Sequence, residues 1–438
     1  MNKKLIILLL CIFSSSVYMH AKEAVSVELR AKTKQKMPLL FVYIGAKDSA
    51  ASALMDQVKK LLTFSQFSSE GFAVSVDYTE ANPKKEMIKQ LAKKGYPLVV
   101  YVSKTPDAQF LNYRVYDTYT LAMMAGKKIS LEKKPLSVWP TLLADSLWKD
   151  LTNKDGIFST HIAYCKEEKA NGTLIKNIYI NSPFGTEKEA HCFLKGGRLL
   201  APRWNHDLEN PLLLFSRCTN KNICLHAATM DKQCSLVSDF DGLNMLPAFS
   251  SNGEKVVYCL SLEGRAQLYL CEFNETEQRK VLRRITNNIG NNVSPSVADN
   301  GDIIFCSDFK TGKPEIFYYH HASKQYERIA GGFCSSPQWS EAKKSIVYSK
   351  AINGVMQLFS YDTNTKQHTQ ITFDPGDKEE SCWSPCGNYI AYCVDTKKQS
   401  RIAVMNMASK EYSFITHGNQ RCSYPSWSPR YYSDIILS

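Results

Sequence analysis

Six near-copies of one short motif recur along the later part of this chain: Pro202-Arg203-Trp204-Asn205, Pro247-Ala248-Phe249-Ser250, Pro295-Ser296-Val297-Ala298, Pro337-Gln338-Trp339-Ser340, Ser381-Cys382-Trp383-Ser384 and Pro425-Ser426-Trp427-Ser428. The large apolar position falls at 204, 249, 297, 339, 383 and 427, so successive copies lie 42 to 48 residues apart. Self-similarity at this period signals a repeat architecture, and roughly 40–50 residues suits one four-stranded propeller blade. Four of the chain's six tryptophans occupy this single repeat position, which ties them to one recurring structural role.

The rest of each repeat has the texture of strands. About nine residues after each aromatic comes a β-rich run, as in Val256 to Tyr258, Ile303 to Phe305 and Ile390 to Tyr392. Further runs follow, such as Leu268-Tyr269-Leu270 and Ile402-Ala403-Val404, then Ile285-Thr286, Ile371-Thr372 and Ile415-Thr416. Short runs of β-branched and aromatic residues broken by Gly, Asn and Asp read as strands joined by turns. Asn252-Gly253, Asn300-Gly301 and Cys386-Gly387 fall between the first two strands, where a tight hairpin needs positive φ. At the start, Ile162-Ala163-Tyr164 and Ile178-Tyr179-Ile180 resemble second and third strands without a first. Residues 424–438 resemble the missing opening of a blade. The two ends therefore complete one another, which gives six blades and a closed ring without exposed sheet edges.

Upstream the pattern changes. Residues 1–21 combine Lys3 and Lys4, the apolar run Leu5 to Phe13 and a polar stretch before Ala21, the layout of a secretory signal peptide too short to span a bilayer. Residues 22–150 read as α/β. Strands at Leu39 to Ile44, Phe72 to Val76 and Leu98 to Val102 alternate with amphipathic helices. One helix presents Ala51, Leu54, Val58 and Leu61. The next is expected to start at Asn82 and Pro83 and stop at Gly95, and a third carries Trp139, Leu143 and Leu147 after Ser137. Residues 151–438 form the propeller. The fold class is thus an α/β N-terminal domain followed by an all-β six-bladed β-propeller.

Charge and composition exclude several functions. Residues 22–150 hold 20 basic against 13 acidic side chains, and 151–438 hold 32 against 29. No basic run is interleaved with aromatics as in a stacking groove, so nucleic acid is not an expected partner. No G-x-S-x-G elbow, phosphate loop or H-E-x-x-H occurs, and no cofactor or metal is expected. The thirteen cysteines beyond the leader lie between 165 and 422. Cys165, Cys259, Cys306 and Cys393 follow a strand aromatic where Ser216 and Ser349 stand in the other repeats. Cys334 and Cys422 share another repeat position, five before a tryptophan. Residues placed by the repeat read as small packing residues.

The junction Leu151-Thr152, Gly156, Phe158, Thr160 and Ile162-Ala163-Tyr164 resembles the L-T-x-x-x-G-x-F-x-T-x-I-A-Y passage of the TolB family, and the repeats resemble that family's P-x-W-S-P-D-G units. The resemblance covers leader, α/β domain and six blades. It departs where Asp gives way to Cys386 and Arg430. It implies a non-enzymatic periplasmic protein that binds the lipoprotein Pal on one propeller face and TolA, or another inner-membrane Tol component, through an N-terminal segment. Such a protein supports outer-membrane integrity and constriction during cell division. The alternative class is a propeller enzyme or ligand binder, lactonase- or lyase-like, or a peptidase-type propeller lacking its catalytic domain.

Two sets of residues are candidates for partner binding. The loops leading into first strands should lie side by side at the mouth of the ring, with Asn244, Met245, Leu246, Asn291, Asn292 and Val293 among them. Val25, Val27 and Leu29 alternate with Ser26 and Glu28, giving an extended segment with one apolar face. That segment is either an edge strand of the α/β domain or a strand offered to a partner's sheet.

Overall fold

The computed structural model describes residues 36–430 apart from 64–70, 133–135, 171, 186, 209, 221, 240–243, 263 and 275–278. The expected signal peptide and the segment containing Val25, Val27 and Leu29 lie outside the described residues. The chain forms two compact units, 1–132 and 133–438.

In the first unit, β1 (Met37–Ile44), β2 (Phe72–Thr79), β3 (Leu98–Lys104), β4 (Phe110–Asp117) and β5 (Met123–Ser130) make one sheet in the order β2-β1-β3-β4-β5. The first three run parallel, and β4 and β5 are added antiparallel. The continuous apolar runs of β1 and β3 suit strands covered on both faces. Strands β4 and β5 extend the sheet beyond what the sequence announced. Nearly every residue of β5 is exposed, so no apolar alternation marks it.

Helix α1 (Ser49–Thr63) buries Ala51, Leu54, Met55 and Val58 as its spacing requires, with Leu62 rather than Leu61 completing the stripe. Helix α2 (Lys85–Lys93) begins later than the expected Asn82 cap. Its cap is Lys84, in extended backbone and without a side-chain hydrogen bond.

The second unit opens with α3 (Trp139–Thr152), entered through a 3-10 turn at Leu136–Val138 that takes in Ser137, so Val138 and not Ser137 holds the cap position. This helix, read from sequence as the end of the first domain, falls in the second unit. Trp148 meets Phe158 edge-on at 6.0 Å, and Phe158 meets Phe184 at 5.5 Å.

Beyond it stand the six blades. Blades 2 to 6 are consecutive antiparallel meanders at 198–238, 244–284, 292–330, 334–370 and 377–414. Blade 1 joins the two ends of the propeller: Cys422–Trp427 supplies its innermost strand and pairs antiparallel with Ile162–Ala170, Cys422 opposite Lys166 and Trp427 opposite Ile162. The turn glycines Gly253, Gly301 and Gly387 all have positive φ, at 75°, 90° and 67°.

One feature of the innermost strands recurs around the axis. Ala201, Ser294, Ser336, Glu380 and Tyr424, each the residue before the Pro or Ser that opens the motif, have φ between 48° and 56°. In blades 4, 5, 6 and 1 the pairing with the second strand slips at that point, as between Val293 and Ser296 or Glu379 and Cys382. A non-glycine residue in the left-handed region costs roughly 1 kcal/mol or more. It persists here because the bulge re-aims the strand, a common function of bulges, and the motif's aromatic then follows.

Candidate docking face of the propeller

The motif's polar groups knit neighbouring blades together around the axis. The indole N–H of Trp204 donates to the carbonyl of Ser426 at 3.1 Å, and that of Trp383 to the carbonyl of Gln338 at 3.0 Å. The backbone N–H of Trp339 donates to Ser296 Oγ at 2.8 Å. Each bond runs from one blade to the blade before it. A tryptophan at this position thus supplies both apolar bulk and a donor that finds its partner when buried.

The axial space is a cavity of about 120 Å³ lined by these motifs, with Arg203 and Trp339 on its wall. Arg203 keeps part of its surface open, but the protein packed about it pushes its guanidinium pKa down. A second cavity, about 110 Å³, lies at the seam of blades 6 and 1. Its wall includes Glu380, whose pKa burial pushes up to about 7, with neighbouring Glu379 adding to the rise and the Tyr424 N–H, 2.6 Å away, opposing it. Lys176 pairs there with Glu167 at 3.0 Å, and Arg421 with Asp395 at 3.1 Å. Among the described residues no group of His, Cys, Asp and Glu is arranged to hold a metal ion, and no helix is long and apolar enough to cross a membrane.

In an antiparallel meander, the loop into the first strand and the loop between the second and third strands lie at the same end. These loops make the mouth face. The residues singled out from sequence divide there. Asn244 is fully buried: its Nδ2 donates to Ile223 O at 3.0 Å and its Oδ1 accepts from Ser238 Oγ at 2.6 Å. Asn292 is equally buried, donating to Gln267 Oε1 at 3.1 Å and Asn288 Oδ1 at 2.9 Å. Both hold loops from within, and neither presents its side chain to a partner. Asn291 is exposed, its backbone N–H donating to Asp308 Oδ1 at 2.7 Å. Val293 is half-buried between blades 3, 4 and 5. The backbone of Met245 pairs with Cys259 in the first strand of blade 3; the side chains of Met245 and Leu246 lie outside the described residues.

The apolar side chains that the mouth displays stand further back in the same loops. Ile289, Phe333 and Phe373, leading into blades 4, 5 and 6, are 77%, 51% and 76% exposed. Their loops are held firmly. Thr286 Oγ1 donates to Gln267 Oε1 at 2.7 Å, and Gln267 Nε2 donates to the carbonyls of Asn288 and Gly290 at 3.2 and 3.0 Å, on either side of Ile289. Two blades on the same clamp recurs: Thr372 Oγ1 donates to Gln357 Oε1 at 2.6 Å, and Gln357 Nε2 to Asp374 O at 3.0 Å. Lys378, fully buried, donates to the carbonyls of Asp374, Pro375 and Gly376 and pairs with the Asp374 carboxylate at 3.3 Å. The sequence signal for these residues was the strand-ending Ile285-Thr286 and Ile371-Thr372. Their threonines mark the clamps, and the apolar residue follows within three positions. Large apolar side chains fixed bare on one face of a rigid ring are the material of a protein docking surface.

A family description reading "TolB beta propeller domain" matches residues 148–431. Two curated relatives named "Tol-Pal system protein TolB", from Francisella tularensis subsp. mediasiatica (strain FSC147) and Francisella tularensis subsp. tularensis (strain SCHU S4 / Schu 4), are each 23% identical over 354 residues. The matched region is 77% of this chain and 76% and 75% of theirs. Among solved structures, TolB from Acinetobacter baumannii shares the fold with a TM-score of 0.71 at 19% identity, covering 90% of this chain and 97% of its own.

Proposed function

This chain belongs to the TolB β-propeller family, and on that premise we propose that it is a periplasmic, non-enzymatic component of a Tol–Pal system. In this reading it is exported by its leader, docks the lipoprotein Pal on the mouth face of its propeller and supports outer-membrane integrity during constriction. The observation that carries the reading is the rigid apolar arc of Ile289, Phe333 and Phe373. Asn291 and Val293 flank this arc, with Met245 and Leu246 in the first strand of blade 3. The names of the relatives support the same role.

The test is calorimetric titration of the full chain with the soluble domain of Pal. Replacing both Ile289 and Phe373 by Asp should weaken binding at least tenfold, since buried aromatic and aliphatic anchors dominate such interfaces, while the melting temperature stays within a degree or two. Unchanged affinity in a folded variant would remove the mouth face from consideration. A second contact, to TolA, is assigned to Val25, Val27 and Leu29 by strand addition. Deleting residues 22–29 should abolish binding to TolA while sparing Pal binding and thermal stability. A large loss of stability would instead make the segment part of the domain's own sheet.

A further inference from the structure

All thirteen cysteines among the described residues stand as thiols, and their placement follows a rule. In the second strand of five of the six blades, a small residue points its side chain at the first strand of the next blade; Ser349, at the same position of blade 5, is buried without such a bond. Cys165 Sγ lies 3.4 Å from Leu199 O, Ser216 Oγ 3.3 Å from Asn244 O and Cys259 Sγ 3.5 Å from Asn292 O. The receiving residue is always three before the Pro or Ser that opens the motif. In two of the six seams it is also a cysteine: Cys306 Sγ is 3.4 Å from Cys334 O, and Cys393 Sγ is 3.3 Å from Cys422 O.

Cys306 and Cys334 belong to one apolar cluster between blades 4 and 5, together with Ile304, Ile316, Ile346 and Tyr348. Both pairs are buried. A carbonyl oxygen is about 2.4 Å from its own Cα, so the Cys306 sulfur is at most roughly 6 Å from the Cys334 Cα. Within a disulfide each sulfur lies roughly 4 Å from the partner's Cα, so bridging takes rotation of both side chains and an approach of the two strands by up to about 2 Å.

We propose that these two pairs are oxidation sites that form the disulfides Cys306–Cys334 and Cys393–Cys422. The first would staple blade 4 to blade 5. The second would fasten blade 6 to the strand Cys422–Trp427, and so lock covalently the seam that closes the ring. The oxidant is a disulfide of the kind present in oxidising compartments, and the biological setting rests on the reading that the chain is exported. A thiolate of the pair attacks the oxidant's disulfide, forming a mixed disulfide and expelling one thiolate. The second cysteine then attacks the mixed disulfide and expels the other. The two cysteines lose two protons and two electrons; the oxidant leaves as two thiols. Burial pushes Cys306 up to about 12 and Cys334 up to about 11, so a closed ring reacts slowly. Bridging belongs to folding or to transient opening of the seam.

The experiment refolds the full chain with oxidised and reduced glutathione, traps remaining thiols with N-ethylmaleimide, and maps linked peptides by mass spectrometry. The expected result is linkage of 306 to 334 and of 393 to 422, with four fewer thiols trapped than after treatment with dithiothreitol. The oxidised form should melt roughly 5 °C or more above the reduced form. Cys393→Ser tests the closing staple in a tolerant background, because Ser216 and Ser349 occupy the same repeat position. This variant should fold, lose the 393–422 link and lose part of the thermal gain. Linkage among other cysteines, trapping of every thiol after oxidative refolding, or a full thermal gain in Cys393→Ser would each overturn the proposal.

Discussion

Replacing Asp145 by Ala should loosen the joint on which the ring closes. This carboxylate, on α3, accepts the backbone N–H of Phe158 at 2.8 Å and of Ser159 at 3.1 Å, and the hydroxyl of Ser159 as well. Arg430, from the far end of the propeller, approaches it at 4.0 Å and also donates to Gly156 O. One side chain thus gathers the helix, the start of the propeller and the segment that follows its last strand. Burial raises its pKa, with Arg430 and Ser159 opposing the rise. With Ala, the buried N–H of Phe158 and the half-buried N–H of Ser159 lose their acceptor, at about 1–3 kcal/mol each. An expected loss of about 2–6 kcal/mol follows, roughly 4–12 °C in melting temperature for a unit of this size. Lys149→Ala is the control on the same helix. It removes a pair with Asp155 at 2.9 Å in which both side chains are about half exposed, and such pairs contribute at most about 1 kcal/mol. Calorimetry of both variants decides the matter. If Asp145→Ala melts within a degree or two of Lys149→Ala, the carboxylate is not the joint.

Three further outcomes follow from the same geometry. Glu380 has a folded pKa of about 7 against an ordinary 4.5, so between these values the folded chain keeps a proton that the unfolded chain has shed. Its contribution is therefore fully present below about pH 4.5 and lost as pH rises through 7, by about 3 kcal/mol. Glu380→Gln should flatten the difference in denaturant midpoint between pH 5 and pH 8, and an unaltered difference would refute the assignment. Lys378→Met leaves the carbonyls of Pro375 and Gly376 without this donor and Asp374 O with Gln357 alone. It should cost about 2–4 kcal/mol and raise hydrogen exchange across 373–377. Gly156→Ala places a Cβ 2.2 Å from Asp145 Oδ1, and should lower the melting temperature by several degrees, measurable by calorimetry.

The blades were legible from sequence because each repeats the same local chemistry. Trp204, Trp339, Trp383 and Trp427 return at one period because in these four blades the residue packs at the same place and hydrogen-bonds a neighbouring segment. The closing of the ring was legible too, from a first strand missing at one end and supplied at the other. The junction motif was visible, but its reason was not. Gly156 is needed because Asp145 lies against it, and Phe158 because it packs on Trp148. Strand β5 left no trace in the pattern, being solvated on both faces. Proximity to a first strand suggested Asn244 and Asn292 as contact residues, yet both are consumed by hydrogen bonds inside the loops. Whether a loop residue faces water depends on partners brought from other strands. Gln357 and Lys378 hold the loop that leaves Phe373 bare, and Cys393 meets Cys422 only because the last strand crosses back to blade 1. Periodicity is local and written along the chain, whereas exposure and pairing are set by non-local contacts that exist only once the ring has closed.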